Sequence, residues 1–273
     1  FRSVTALEGR SAHSRRLAQR AGLEDLGSLR AVVRCADLIL SIVPPANALA
    51  FAQAAAATIV EAGTRPVFVD CNAVAPATVR SIARVFESVD APFIDAGIVG
   101  RGPQPDAQPP TRFFVSGPER RALLDLAVTE IRMIDMGEEI GAASAIKMAY
   151  ASLNKATDAL HTAVLLAAER LGVRAQLMKE FELSQTEALR RMRARVPYLA
   201  ATAERFAGEM NEIAATYDAV GVTPLFHRGA EWIFAQLATS ALASETRATL
   251  PAERSLDAAI AAFSAALDGG SHG

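Results

Sequence analysis

The sequence predicts an α/β domain with a mostly parallel sheet over residues 1–138, followed by an all-helical domain over residues 139–273. Two observations support this division. Short apolar runs alternate with helical stretches through the first half, which is the pattern of strand–helix units joined by short links. No convincing strand follows in the second half, where apolar residues recur at the spacing of α-helices.

Six short apolar runs in the first half are predicted strands, and three stretches between them are predicted helices. The run ADLILSIV (36–43) is apolar almost throughout and is closed by Pro44 and Pro45. Such a run is typical of a strand that is buried on both faces. The other predicted strands are residues 3–7, 66–72, 92–99, 111–117 and 132–137, and the predicted helices are residues 14–23, 75–88 and 118–131.

The second half opens with a predicted helix of unusual length. Apolar residues keep helical spacing for about 30 residues after residue 141, until Gly172 and Val173 end the pattern. Four further helices are predicted, at about residues 174–194, 197–218, 224–244 and 251–268.

The composition is that of a globular protein with one large domain or two ordinary ones. The chain has 273 residues, 51% of them hydrophobic and 21% charged, with a net charge of −2. This charge balance does not favour a nucleic-acid partner, and no apolar run reaches the roughly 20 residues of a membrane span. With only Cys35 and Cys71 and no visible secretory signal, we expect reduced thiols in a cytoplasmic protein.

A single lysine, Lys147, lies in the apolar run GAASAIKMAYASLNKA (141–156). It either snorkels to solvent from a mostly buried helix or points into a cleft. At 100° per residue, Ala151 and Asn154 both lie within about 40° of Lys147, which makes a short polar face. A half-buried lysine has its pKa lowered from about 10.4, so it can exchange a proton near neutral pH. The helix alone does not decide between these interpretations.

Polar and turn residues follow several of the predicted strands. In an open parallel sheet, ligands bind beyond the carboxyl ends of the strands. Each group is also what an ordinary turn contains, so the pattern gains weight only in combination with the lysine helix. The residues after the strands are Glu8 to Ser11, Pro44 and Pro45, Cys71 to Ala73, and Gly100 to Gly102.

The lysine segment and two further motifs resemble the β-hydroxyacid dehydrogenases, the family of 3-hydroxyisobutyrate and 6-phosphogluconate dehydrogenases. The segment GEEIGAASAIKMAYA resembles the family pattern GxxGxxxKxxNN and supplies Gly137, Gly141 and Lys147, with the last glycine and the lysine further apart than in the pattern. Tyr150 and Ala151 stand where the family has two asparagines. The resemblance implies that Lys147 is the catalytic proton shuttle and that Asn154, one turn later, orients the reacting oxygen.

The resemblance covers nearly the whole chain and implies its architecture. We expect a Rossmann-type domain, a long interdomain helix and a helical domain of the phosphogluconate dehydrogenase C-terminal-like branch, which commonly forms a homodimer. The implied reaction transfers a hydride between NAD or NADP and a small 3-hydroxy acid, or its carbonyl counterpart.

Two loops are expected to bind the carboxylate of such a substrate. The segment DCNAVAPAT (70–78) resembles the family stretch DxSxxxPxT, with Asn72 at the serine position. The segment DAGIVGR (95–101) resembles DAPVSGG, with Val99 and Gly100 in the loop that normally offers a serine hydroxyl and backbone N–H groups. Since Val99 has no polar side chain, Arg101 could supply a bidentate guanidinium instead. A solvated loop arginine is the alternative.

The glycine fingerprint GxGxxG of dinucleotide-binding domains does not occur in the sequence. The run FRSVTALEGRS resembles the second strand of such a domain, so we expect that the first βα unit, about 25–30 residues, is missing ahead of Phe1. Without such a unit, the protein should bind a dinucleotide poorly. Glu8 after this strand would favour NAD, whereas Arg10 and Ser11 resemble an NADP-type element, and NADP is slightly favoured. The other expected cofactor contacts are Val43, Pro44, Pro45 and Asn72.

Two other functions stay open. An imine-reductase-like enzyme has a similar architecture, although the presence of Lys147 argues against it. A non-catalytic dinucleotide-binding protein would explain the loss of both family asparagines and the loop serine.

Several conspicuous residues outside these motifs have ordinary interpretations. We expect a solvated helix face for the arginines of residues 190–205 and a surface position for His227, while Trp232 and Phe234 are expected in the core or a dimer interface. No His, Cys and carboxylate cluster has metal-ligand spacing, so no metal is expected.

Overall fold

The computed structural model describes residues 1–100, 102, 110–126, 130–246 and 249–269. The described chain forms two compact units, Phe1–Lys147 and Met148–Gly273. The sequence places the domain boundary at residue 138/139, ahead of the long helix. The compact units do not decide this boundary, because that helix begins in the first unit and ends in the second.

The first unit contains a five-stranded mixed sheet that is mostly parallel, as predicted. Its strands, in spatial order, are β3 (Leu38–Ser41), β4 (Val67–Asp70), β5 (Phe93–Val99), β6 (Thr111–Ser116) and β7 (Ile131–Asp135). Only the β5–β6 pair is antiparallel. A separate parallel pair is formed by β1 (Val4–Thr5) and β2 (Glu24–Asp25).

Five helices of the first unit lie between these strands. They are α1 (Ala12–Arg20), α2 (Leu29–Cys35), α3 (Ala48–Ala62), α4 (Pro76–Glu87) and α5 (Arg121–Leu124). The sequence predicts α1, α4 and the region of α5, but it names no element for β2, α2 or α3. The segment that forms β2 and α2 is short and has no clear apolar period, whereas α3 is a longer, alanine-rich helix.

Alternate residues of β4 and β5 enter two different cores. Phe68 and Phe93 join Phe86 of α4 in a stack, with the ring centroids of Phe68 and Phe86 4.2 Å apart. Val69 and Ile94 pack on the opposite face of the sheet with the β6 and α5 residues. The central strands are therefore buried on both faces, which explains their nearly unbroken apolar sequences.

The prediction that the run 36–43 is buried on both faces is wrong. Ile39 and Ser41 of β3 are buried, whereas Leu40 is 49% exposed and Ile42 is 64% exposed. Within the described part of the chain, β3 is an edge strand of its sheet. One face of β3 is covered, whereas the other is covered only in part, where Leu38 packs against the core that contains Val69 and Ile94. Its apolar sequence therefore does not correspond to full burial.

The second unit is helical, as predicted, and its described residues contain no strand. The long helix α6 (Ala142–Arg170) leads into α7 (Arg174–Ser184), α8 (Thr186–Arg195), α9 (Ala203–Asp218), α10 (Leu225–Leu237) and α11 (Leu256–Gly269). The predicted helix 174–194 is therefore two helices, which meet at Gln185. Phe206 and Phe234 form an edge-to-face pair in the core, with centroids 5.3 Å apart. In the described residues, no helix has the length and apolarity that crossing a membrane requires.

Candidate active site

Lys147 points to the carboxyl end of the central strand β4. Its Nζ donates hydrogen bonds to the backbone carbonyl oxygens of Cys71 and Asn72, each at 3.0 Å. These two residues directly follow Asp70, the last residue of β4. The lysine side chain is half-buried. The ammonium is thus held at the rim where ligands of open parallel sheets bind, and it does not snorkel away from the sheet.

A close approach of α6 to β5 brings the lysine to this rim. A Cβ added to Gly97 would lie 2.5 Å from the carbonyl oxygen of Ala143 and 3.1 Å from Cβ of Lys147. Any side chain at this position of β5 would therefore push the helix outward. Gly97 allows the first turns of α6 to lie directly against the strand.

The buried carboxylate of Asp95 accepts hydrogen bonds from residues at the start of α6. The backbone N–H groups of Gly141 and Ser144 donate to its Oδ2 at 2.9 and 3.1 Å, and the Ser144 hydroxyl donates to Oδ1 at 2.7 Å. A fourth bond comes from Ser116 of β6 at 3.0 Å. Asp95 satisfies N–H groups that have no partner inside the helix.

Asn72 is buried and uses its side chain to connect two strand ends. Its Oδ1 accepts a hydrogen bond from the Val43 N–H at 2.7 Å, and its Nδ2 donates to Ser41 at 2.9 Å and to Asp70 at 2.7 Å. The predicted substrate ligand therefore has three partners within the protein. Its side chain fixes the turn whose carbonyl groups accept from Lys147.

Burial shifts the pKa values of the two groups next to Asn72. Burial of Asp70 raises the pKa of its carboxyl to about 6, although the hydrogen bonds from Asn72 oppose this. Burial raises the pKa of the Cys71 thiol to about 12, with a further contribution from Asp70. The thiol is thus protonated at neutral pH and is unsuited to act as a nucleophile.

The residues expected to contact the cofactor lie after β1 and β3. Glu8, Arg10 and Ser11 are exposed, and the Ser11 hydroxyl caps α1 by accepting from the Ser14 N–H at 3.2 Å. After β3, Val43 is tied to Asn72, Pro44 is exposed and Pro45 begins the 3₁₀ turn that leads into α3.

Of the residues expected to bind the substrate, Val99 and Gly100 lie at the end of β5. Val99 is buried, and Gly100 has φ +119°, a conformation that side-chain-bearing residues rarely adopt. Arg101 lies outside the described residues. Asn154 belongs to the second unit, where its Nδ2 donates to the Tyr150 carbonyl oxygen at 3.1 Å.

Two expectations for the helical half are wrong. Arg191 and Arg195 do not lie on a purely solvated face, because both donate to the buried carboxylate of Asp158 at 2.9 to 3.1 Å. His227 is not at the surface, because it is buried and its Nε2 lies 2.7 Å from the hydroxyl of Ser152. In both cases the partner lies on α6, far away in the sequence. Of the two aromatic residues expected in the core or a dimer interface, Phe234 lies in the core, whereas Trp232 is half exposed.

Sequence reasoning missed Ser116 and Ser144, which complete the site around Asp95. Ser144 lies at the start of a predicted helix, where a serine often caps the backbone. Its actual partner is 49 residues away, so no local pattern could reveal it.

Two comparisons of the sequence with known proteins give matches to parts of the chain. A family model for a domain of unknown function, DUF1932, matches residues 168–237. An uncharacterized 28.5 kDa protein from Methanothermus fervidus is 25% identical over 178 residues, which is 65% of this chain and 66%, just under two thirds, of that protein.

Two solved structures extend the similarity over most of the chain. A conserved protein of unknown function, described as structurally similar to 3-hydroxyacid dehydrogenases, is 27% identical with a TM-score of 0.58, covering 87% of this chain and 88% of its own. The 3-hydroxyisobutyrate dehydrogenase of Mycobacterium tuberculosis, solved with L-serine, is 20% identical with a TM-score of 0.59, covering 92% and 88%. At that identity, the second likeness concerns the fold alone. The fold expected from the resemblance is confirmed: this chain is similar in fold to 3-hydroxyacid dehydrogenases over most of its length, and its residues 168–237 match DUF1932.

Proposed function

We propose that the protein is an NAD(P)-dependent oxidoreductase that transfers a hydride between the nicotinamide and a small 3-hydroxy acid or its carbonyl counterpart, with Lys147 as the proton shuttle. The position of the Lys147 Nζ supports this proposal most directly. It is held at the carboxyl end of β4 by two carbonyl groups, 3.0 Å away, rather than in bulk solvent. A lysine at this edge of the sheet can reach a ligand bound there.

The described residues fit parts of a nicotinamide dinucleotide. Arg10, Ser11 and the N-terminus of α1 offer a cation, a hydroxyl and N–H donors, which suit the 2′-phosphate of NADP. Val43, Pro44 and Pro45 would form the wall beside the nicotinamide, and Asn72 would hold this wall to β4. The sequence contains no GxGxxG turn, so no residue is assigned to the pyrophosphate.

The nicotinamide, when bound, supplies the hydride chemistry, while the chain orients the substrate and moves the proton. In the oxidation direction, the neutral amine of Lys147 takes the proton of the substrate hydroxyl as the carbonyl forms. In the reduction direction, the ammonium returns a proton to the new alkoxide oxygen. The carbonyl groups of Cys71 and Asn72 hold the Nζ in place in both directions. This lowers the entropic cost of orienting a long, flexible side chain towards the substrate.

In this proposal, the residues at and after the end of β5 contact the substrate. We assign the carboxylate of the substrate to Gly100 and Arg101, beside the apolar Val99. Asn72 contributes through the backbone of its turn, since its side chain has partners inside the protein. Asn154 orients the reacting oxygen.

The same proposal includes a cytoplasmic homodimer formed through the helical domain, without nucleic acid or membrane. Large apolar side chains on α6 and α10 support an association face on this domain. Tyr150, Leu153 and Leu160 lie on α6 at helical spacing, and Phe226 and Trp232 lie on α10, all at least 49% exposed.

A cofactor and substrate screen tests the proposal. We expect NADP to raise the melting temperature more than NAD does, and the protein to turn over at least one member of a panel of 3-hydroxy acids and their carbonyl counterparts. Arg10→Asp should weaken NADP binding far more than NAD binding, and equal losses would contradict the assignment of Arg10. Turnover of cyclic imines alone would indicate an imine reductase, and cofactor binding without any turnover would indicate a non-catalytic protein.

A further inference from the structure

We propose that Asp95 is the positioning residue of the site, because its carboxylate fixes the rotation and the axial position of α6 and thereby places the Nζ of Lys147 between the carbonyl groups of Cys71 and Asn72. The consequence for turnover rests on the proposed function of Lys147. The effect on the position of the lysine does not depend on that function.

The carboxylate of Asp95 has no exposure to solvent, and its bonds compensate for this burial. It lies in the middle of β5, next to Asp70 of β4 and Ser116 of β6 in the strand register. A buried carboxylate is costly unless hydrogen bonds satisfy its oxygens. Asp95 accepts four such bonds, three of them from the first turn of α6 and the residue before that helix.

These bonds lock the helix in one arrangement. Gly141, Ser144 and Lys147 are spaced by three residues and lie on one side of the helix. A slip of one residue would rotate this side by about 100° and move it by about 1.5 Å along the axis. Both N–H bonds to Asp95 would then be lost, so the carboxylate admits only one register. That register directs Lys147 to the end of β4.

The neighbouring glycine on β5 sets the distance between the helix and the sheet. Asp95 and Gly97 are two residues apart on the strand, so they face the same side. Gly97 lies against the Ala143 carbonyl and the Cβ of Lys147. The strand thus controls the lysine in two ways: Gly97 allows its close approach, and Asp95 fixes its direction.

The test combines amine labelling with kinetics in Asp95→Asn. Asparagine keeps the size of the side chain but replaces one acceptor oxygen with a donor, which cannot accept from the helix N–H groups. Acetylation by sulfosuccinimidyl acetate, followed by mass spectrometry, measures the accessibility of each lysine. We expect Lys147 to be acetylated several-fold faster in Asp95→Asn than in the wild type, with Lys179 on the exposed side of α7 as the internal reference.

Kinetics give the second readout. Displacement of a reacting group by about 1 Å can cost about 100-fold in rate, so we expect kcat of Asp95→Asn to fall by about 10-fold to 100-fold. The KM for the substrate should change much less. Ser144→Ala, which removes one of the four bonds, should show a smaller change in the same direction, and it provides a milder variant if Asp95→Asn does not fold.

A core variant separates positioning from stability. Ile213→Val in α9 lowers stability without touching the site and should leave the labelling of Lys147 and kcat unchanged. If Asp95→Asn and Ser144→Ala behave like Ile213→Val, the positioning role is refuted. If Lys147→Ala retains wild-type turnover, the proposed function fails instead, and the labelling rates alone decide the inference.

Discussion

Gly97→Ala tests the packing of α6 on β5 with one methyl group. The added Cβ would lie 2.5 Å from the Ala143 carbonyl oxygen and 3.1 Å from the Lys147 Cβ. A carbon and a carbonyl oxygen in contact are separated by about 3.3 Å or more. The helix must therefore retreat by about 0.8 Å, because the obstructing atom is backbone and cannot rotate away.

This displacement has a cost in stability and in turnover. Overpacking of this kind typically costs about 1–3 kcal/mol, and a shift of about 1 Å in a catalytic group costs about 100-fold in rate. We therefore expect a free energy of unfolding lower by about 2 kcal/mol and a kcat lower by about 10-fold to 100-fold. Urea unfolding and steady-state kinetics measure both quantities.

Gly208→Ala provides the matched control. This glycine lies in the middle of α9, and a Cβ there would have no atom within 4 Å. The substitution should stabilise the protein by up to about 1 kcal/mol through helix propensity and should leave kcat unchanged. Wild-type stability together with wild-type turnover in Gly97→Ala would refute the close packing of the helix on the strand.

Three further substitutions test individual buried groups. Burial raises the pKa of Asp70 from 3.8 to about 6, so its contribution to stability is present below pH 3.8 and is lost as the pH rises through 6. Between pH 4 and pH 7, Asp70→Asn should therefore lose less stability than the wild type, by about 2 kcal/mol, as measured by urea unfolding. Burial lowers the pKa of His227 below 6.5, so the wild type should lose stability relative to His227→Gln as the pH falls below 6.5, and parallel pH curves would contradict this. Asp158→Ala leaves two arginines without their buried partner and should cost about 3 kcal/mol. Arg190→Ala, which breaks an exposed pair with Glu187, should leave the free energy of unfolding close to that of the wild type.

The elements that the sequence predicted well are those with a clear local pattern. Strands β4 and β5 are unbroken apolar runs between helices, and α6 keeps its helical spacing for 29 residues. In contrast, β2 has two residues, both charged and exposed, and no pattern distinguishes it from a turn. The burial of β3 was overestimated because an apolar run does not reveal whether a strand lies at the edge or in the middle of its sheet.

The sequence predicts the site residues that lie in a conspicuous local pattern, such as Lys147 and the polar residues after the strands. It does not predict hydrogen-bond partners that are distant in the sequence. Lys147 was identified because an isolated charge in an apolar helix is unusual, and the structure brings it to the end of β4. The bonds of Asp95 to Ser144, and of Asp158 to Arg191, join residues 49 and 33 positions apart. Only the packing of the elements creates these pairs, and no periodicity in the sequence encodes them.

The most direct test of the proposed mechanism is the turnover of Lys147→Ala with and without added primary amine. If Lys147 moves the proton, kcat should fall by about 100-fold to 10,000-fold, ethylamine should restore part of the activity, and the Kd of the cofactor should stay near its wild-type value. Lys179→Ala, at the exposed position on α7, should turn over like the wild type. The mechanism would be contradicted if Lys147→Ala oxidised its substrate within about twofold of the wild-type rate. Such a loss is far smaller than the loss expected when a general acid or base is removed.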